Sequence, residues 1–549
     1  MITLPFGLPY WEASASTSVD ARGYPVSIDG VGYLLDLTSQ IVRTGLQVSK
    51  DRNPITTNEG LLLPNDVWRR VRDSWYQGDR QTVGDRDDSL PYRFSSSRGV
   101  DVFTKWQVSL LPDVTQKVAV GATNPWVGVV DGQLAVVEGT NLRWYASIGA
   151  SAVTRTLAAA AVSTTTSGST IFIACADGKV YSCAGGGTSA LFATLASVSM
   201  VAYVKDFLIA AAVNVLYDIT SGTPVTIRTH PQAGFRWVDA TEGQTCVYLL
   251  GGIGDRWVVH RASIDDVTST LNPPIVASML PDGETGTALG SYMGYAFVGT
   301  SKGLRFGVAQ GNGDLTLGPL IATSSPVGCF EGQDRFVWFG LSDWTAGATG
   351  LGRVDLTTFT EPLAPASASD LTAPVAGAVT SVTTWLGLRV FAVASVGVYI
   401  ESATNLVASG YVIESDLTFG VPDVKNGHYA QVRTTPMTGG EVTLDLSYDG
   451  GSFTTVARCF DLGATGSGNR GLNGAQFEKV TGRLSLTRDV GDATKGPVVT
   501  RWEIRGEPVT GQGSQWQIPL LITSTPEVNG NPRSRDCDAD RETLIALVG

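Results

Sequence analysis

A short phrase recurs with variation through the middle of this chain, and it limits the possible folds more than any other feature. Its clearest copy is Ile171-Phe-Ile-Ala-Cys-Ala-Asp-Gly-Lys-Val-Tyr181, a run of β-formers, a tight turn and a second run. Related phrases start near Leu134, Phe207, Cys246, Tyr295, Phe336 and Val390, so the intervals between starts are 37, 36, 39, 49, 41 and 54 residues. A period of ~40–45 residues built on apolar hairpins is the pattern of propeller blades. Seven phrases predict an all-β chain with a seven-bladed β-propeller over residues 116–415. In this reading the hairpin of each phrase is the inner part of a four-stranded blade. A long β-sandwich with coincidental spacing is the alternative.

Charge divides the chain where the repeats begin. Residues 1–115 carry 26 charged side chains, whereas residues 116–415 carry 35 over a stretch more than twice as long. That contrast sets a boundary near residue 115. Together with 64 glycines, it predicts a loop-rich β docking domain over 1–115 ahead of the propeller. The net charge of −12 comes with no basic face, which argues against nucleic acid as a ligand. The longest apolar runs, such as Leu157–Val162 and Phe207–Leu216, are shorter than the ~20 residues of a membrane span. Met1-Ile-Thr-Leu-Pro-Phe-Gly7 has neither the basic start nor the apolar stretch of an export signal, so folding in a cytoplasm is expected. The six cysteines have no metal-ligand spacing. Buried free thiols are expected in a reducing compartment, with a Cys175–Cys183 bridge across one hairpin as the alternative.

The first segment opens with an apolar arm, Leu4–Trp11, and then becomes polar: Val67–Tyr76, Gly84–Phe94 and Arg98–Val102 interleave Arg, Asp and aromatic residues. Asp85, Asp87 and Asp88 could offer oxygen ligands to Ca²⁺, but the spacing of a calcium loop is missing. The competing reading is an Arg–Asp network with aromatic stacking that fixes a domain or an interface. Two insertions, 263–290 and 357–380, read as long loops on one rim of the propeller. Residues 416–525 change rhythm. Six alternating segments, at 429–433, 441–448, 453–458, 477–486, 498–504 and 516–522, predict an antiparallel β-sandwich or jelly roll. In the tail, 526–549, acidic residues precede Thr543-Leu-Ile-Ala-Leu-Val548, which predicts a short helix.

Catalytic patterns are scarce. His230, His260 and His428 are the only histidines, and none lies in a zinc-protease or nucleophile motif. Ser447-Tyr-Asp-Gly-Gly-Ser-Phe453 partly matches the Asp-box turn of sialidases, yet an Asp-Gly hairpin explains it as well. Trp126, Trp144, Trp237, Trp257, Trp338 and Trp385 fall at or near the phrases, where they serve either as packing between blades or as faces for sugar rings. No enzyme, catalytic residue, metal or cofactor is assigned.

Gly84-Asp-Arg-Asp-Asp-Ser89, Pro91-Tyr-Arg-Phe94, Arg98-Gly-Val-Asp-Val102 and Ser109-Leu-Leu111 resemble the N-terminal region of minor tail proteins from long-tailed phages of actinobacteria. The order of parts is similar too, with Arg501-Trp-Glu-Ile-Arg505 and Trp516–Leu520 marking the sandwich. Such proteins continue further at the C-terminus, and the stop at Gly549 departs from that pattern. The resemblance implies a structural virion protein of the tail tip, assembled in the host cytoplasm as a homo-oligomer around the tail axis. Its partners would be other tail proteins and the host envelope. The alternative function is a glycan-binding module for host recognition or a propeller depolymerase.

Overall fold

The structure, a computed structural model, describes residues 68–81 and 93–508 apart from 266, 324, 346–347, 420–423 and 461–464. It also describes 2–3, 26–28, 31–35, 42–46, 513–517, 520–525, 527–528, 531–532 and 534–548. The chain divides into two compact units, 68–507 and the paired ends 1–67 with 508–549.

Within the larger unit, residues 126–406 form seven consecutive four-stranded antiparallel sheets, six of them built from four strands in chain order. The seventh takes its fourth strand from Pro112–Ala119, which pairs Val118 with Val398 and Ala119 with Gly397. The segment before the first sheet therefore closes the last one. Each first strand neighbours the first strand of the next sheet, and that of the seventh neighbours that of the first, so the sheets form a closed, propeller-like cycle.

The pleat explains the packing. Alternate residues of a strand point to opposite faces, so Ile171, Ile173 and Cys175 face the first sheet while Phe172 and Ala174 face the third. Every neighbouring pair of sheets shares a core of this kind, including the seventh with the first through Trp385, Val390, Val127 and Leu134. At the tip of the clearest phrase, Gly178 has φ +80°, and a Cβ there would lie 2.6 Å from the Leu195 carbonyl oxygen. Only glycine fits that turn.

The phrases occupy the second and third strands of each sheet, for example Thr170–Cys175 and Lys179–Ala184. They are thus the middle of each sheet and not its inner part, as the sequence had led us to expect. Middle strands are covered on both faces and are the more apolar for it. The inner strands precede the phrases and carry many hydroxyl residues, which hid them. The two expected rim loops also contain strands: Ile275–Met279 is the fourth of its sheet, and Ala364–Ala373 completes the sixth.

Two further antiparallel sheets lie in the same unit. One orders Thr454–Phe460, Glu441–Tyr448, Val480–Thr487, Ser409–Ile413 and Ser96–Arg98. The other contains Thr465–Phe477, Lys425–Pro436, Val498–Pro508, Val108–Leu110 and Val100–Asp101, with Trp68–Arg72 also on Val498–Pro508. Both bury side chains in one core that includes Trp75, Phe94, Val442, Leu484, Trp502 and Ile504. Strands from residues 68–110 are thus interleaved with those of 409–508, and residue 115 lies inside a strand of the seventh sheet.

In the smaller unit, Ile2–Thr3, Val26–Ile28, Val31–Leu35 and Leu520–Leu521 form one sheet, and Val42–Leu46 pairs with Gly513–Gln517. The segment around Trp516 therefore pairs with the N-terminal end of the chain. The helix Cys537–Val548 has Asp538 and Asp540 in its first turn, and the Asp536 carboxylate accepts the Asp538 and Ala539 N–H groups.

Candidate functional site: the axial channel

Several charged side chains of the polar segment form internal bonds, of the kind the Arg–Asp network reading describes. Arg69 pairs with Glu503 at 2.8 Å, and Arg501 joins it at 3.0 Å. The indoles of Trp75 and Trp502 both donate to the buried Glu414 carboxylate, at 2.7 and 3.0 Å. Arg353, from the sixth sheet, pairs with Asp101 and stacks 4.8 Å from the Phe103 ring and 4.7 Å from that of Phe336. Guanidinium–carboxylate bonds plus ring stacking make a rigid joint. Asp85, Asp87 and Asp88 lie outside the described residues.

The other candidates from the sequence resolve into packing. Cys175 and Cys183 are buried free thiols: Cys183 sits opposite Ile171, and Cys175 opposite Ala161. Burial pushes the Cys175 thiol up to about 11. His230 stacks on Phe235 at 3.8 Å, and His260, 4% exposed, lies edge-on to Trp237. Burial, then the charges of Arg228 and His230, pushes His260 down to about 4. Asp449 and Gly450 have φ of 50° and 76°, the backbone of a tight hairpin, and the Asp449 carboxylate accepts the N–H groups of Glu478 and Lys479. Trp144, Trp237, Trp338 and Trp385 are buried, while Trp126 and Trp257 are half-buried. Among the described residues, no group of three His, Cys, Asp or Glu side chains could hold a metal ion, and no helix is long and apolar enough to cross a membrane.

What the sequence missed is the axis. All seven sheets contribute inner-strand or adjoining residues to the wall of a cavity of about 610 Å³. The innermost strands have no further strand to pair with, so their free N–H groups need other acceptors. Side chains of the neighbouring sheet supply them. Val201 N–H donates to Ser163 Oγ at 3.1 Å, Tyr203 N–H to Thr165 Oγ1 at 3.0 Å, and Val127 N–H to Ser381 Oγ at 3.2 Å. Carboxylates do the same work at two junctions: Leu289 N–H donates to Asp239 at 2.7 Å, and Thr384 N–H to Glu331 at 3.3 Å. Enclosure raises both acids, Asp239 to about 6 and Glu331 to about 7, although these N–H bonds pull the other way. The Cys329 thiol beside them is pushed up to about 12, again by burial.

Among the described residues, Asp239 and Glu331 are the only charged ones on the channel wall. A signal for Asp239 exists in the sequence: it stands four residues before Gly243, as Ser163 stands four before Ser167, each ahead of a hairpin turn.

No protein family and no curated protein matches the chain. Solved structures do resemble it. The computationally designed protein Ika8 aligns over 58% of this chain and 99% of its own, at 14% identity and a TM-score of 0.36. Virginiamycin B lyase from Staphylococcus aureus covers 53% of this chain and 98% of its own, at 10% identity and 0.41. YCF48 from Cyanidioschyzon merolae covers 53% and 98%, at 9% and 0.38. At such scores the likeness carries no functional argument.

Proposed function

We propose that this chain is a structural virion protein of a phage tail tip. It is a seven-bladed β-propeller joined to an antiparallel sandwich, and it presents the propeller surface for host attachment. The observation that carries the reading is the run from Gly84 to Leu111, with the order of parts that follows it, which resembles minor tail proteins of actinobacterial phages. The fold supports it in physical terms: seven interlocked apolar cores and a joint of buried ion pairs make a stiff frame. In this reading the subunit assembles in the host cytoplasm as a homo-oligomer around the tail axis, against other tail proteins.

We assign docking to the smaller unit, 1–67 with 508–549, because the strands Trp68–Arg72, Ser96–Arg98, Val100–Asp101 and Val108–Leu110 are committed to the sheets of the larger one. The test compares the full chain with a 68–507 fragment, each expressed in the producing host. The fragment should melt in one cooperative transition yet be absent from purified particles. Incorporation of the fragment at the level of the full chain would remove the docking assignment.

A further inference from the structure

We propose that Asn473 and Gly474 form a site of spontaneous deamidation, at which the folded chain converts asparagine to aspartate or isoaspartate without an enzyme and thereby loosens the strand Thr465–Phe477. The inference does not rest on the virion reading.

Asparagine followed by glycine is the sequence in which this chemistry is easiest, because asparagine is thermolabile and glycine has no Cβ to shield its nitrogen. The main-chain nitrogen of Gly474 bonds to Cγ of Asn473, and the Cγ–Nδ2 bond breaks. The amide nitrogen leaves as ammonia, taking the proton that the glycine nitrogen gives up. Water then opens the cyclic imide at either carbonyl. One product is aspartate; the other is isoaspartate, in which the main chain runs through the former side chain.

The chain has four Asn-Gly pairs, and the structure separates three of them; the fourth, Asn529-Gly530, lies outside the described residues. Asn312 is locked: its amide donates to Asp314 at 2.7 Å, its oxygen accepts the Asp314 N–H at 2.9 Å, and the Gly313 N–H donates to the Gln310 carbonyl at 2.8 Å. Asn426 and Gly427 lie in a strand with a neighbour on each side, and Gly427 is buried. Asn473 is exposed, and among the described residues no hydrogen bond holds its side chain. The ladder shows why. Gly427 is opposite Ala475 and Tyr429 opposite Gly471, so Leu472, Asn473 and Gly474 bulge out against His428 alone. Asn473 and Gly474 have φ of 53° and 70°, and a Cβ on Gly474 would meet nothing within 4 Å, so the pair has room to rotate until nitrogen and Cγ meet. Leu472, by contrast, is anchored in the core shared by the two sheets. Isoaspartate adds a carbon to the main chain directly after this anchor, which disturbs the pairing of the residues that follow.

The test is peptide mapping by mass spectrometry of the full chain aged at pH 8, both folded and in urea. In the folded chain, conversion at Asn473 should run several-fold ahead of that at Asn312 and Asn426. In urea the three should convert at similar rates, because sequence alone then sets them. Hydrogen exchange in Thr465–Phe477 should be faster in the aged protein than in fresh protein. Asn473→Gln, whose longer side chain closes a larger ring more slowly, should age without that change. The proposal is overturned if Asn473 stays unmodified in the folded chain, if Asn312 or Asn426 converts as fast there, or if the same ranking persists in urea. Equal loosening of the aged Gln variant and wild type would also overturn it.

Discussion

Arg389 shows how single residues hold this frame. Its guanidinium meets Glu401 at 2.6 Å and also pairs with Asp370, a fully buried carboxylate that takes the Trp338 indole N–H as well. Removing the cation strands two acids in a low-dielectric interior. Arg389→Ala should therefore destabilise the larger unit by ~3–5 kcal/mol in denaturant unfolding. The channel acids predict a pH effect of definite sign. Both bind protons more tightly folded than unfolded, so their contribution to stability is greatest in acid and declines as pH rises toward 7 and beyond. His260 acts oppositely, since a depressed value makes stability fall as pH drops through 6.5 toward 4. Comparing variant with wild type separates them: the melting temperature of Glu331→Gln should gain on wild type between pH 5 and pH 8. A constant difference across that range would show that Glu331 is not held near neutrality. Residues like these were hard to see in the sequence, because a lone acid among Ser and Thr codes for an axis only once the inner strands are placed.

Elements were more legible where burial is two-sided. The phrase at Ile171–Tyr181 is apolar on either side of its turn because both faces of its strands are covered, and all seven phrases mark true strand pairs. One-sided strands left weaker traces. Ala161–Thr166 carries four Ser and Thr residues, and Thr465–Phe477, rich in Gly and Asn, has almost no β-formers; its pairing with Lys425–Pro436 makes it a strand. Closure of the cycle was invisible, since Pro112–Ala119 pairs with residues almost 300 positions away. That strand is the seam of the ring. Val118→Pro removes a backbone donor and places a ring against the ladder with Gly397–Leu406. A loss of roughly 1–3 kcal/mol is expected, the cost of an unsatisfied buried group. Hydrogen exchange should locate the opening in the seventh sheet; uniform protection there would contradict the role of the seam.

For the whole molecule, the linear order of parts in the sequence gives way to an interleaved one. Strands from 68–110 are sewn into sheets with 409–508, and the two chain ends fold together as their own unit. Charge density set residues 1–115 apart, and of their described side chains Arg69 pairs with Glu503 and Asp101 with Arg353, which stacks on Phe103. Composition cannot distinguish a buried network from a docking face, because both need the same residues. The central claim, a structural subunit of a tail tip, is tested most directly by imaging particles from the producing host labelled with gold-conjugated antibody against 68–507. The account predicts label confined to the distal end of the tail, in several copies around its axis. Particles without label, with the chain recovered only from the soluble fraction, would contradict it.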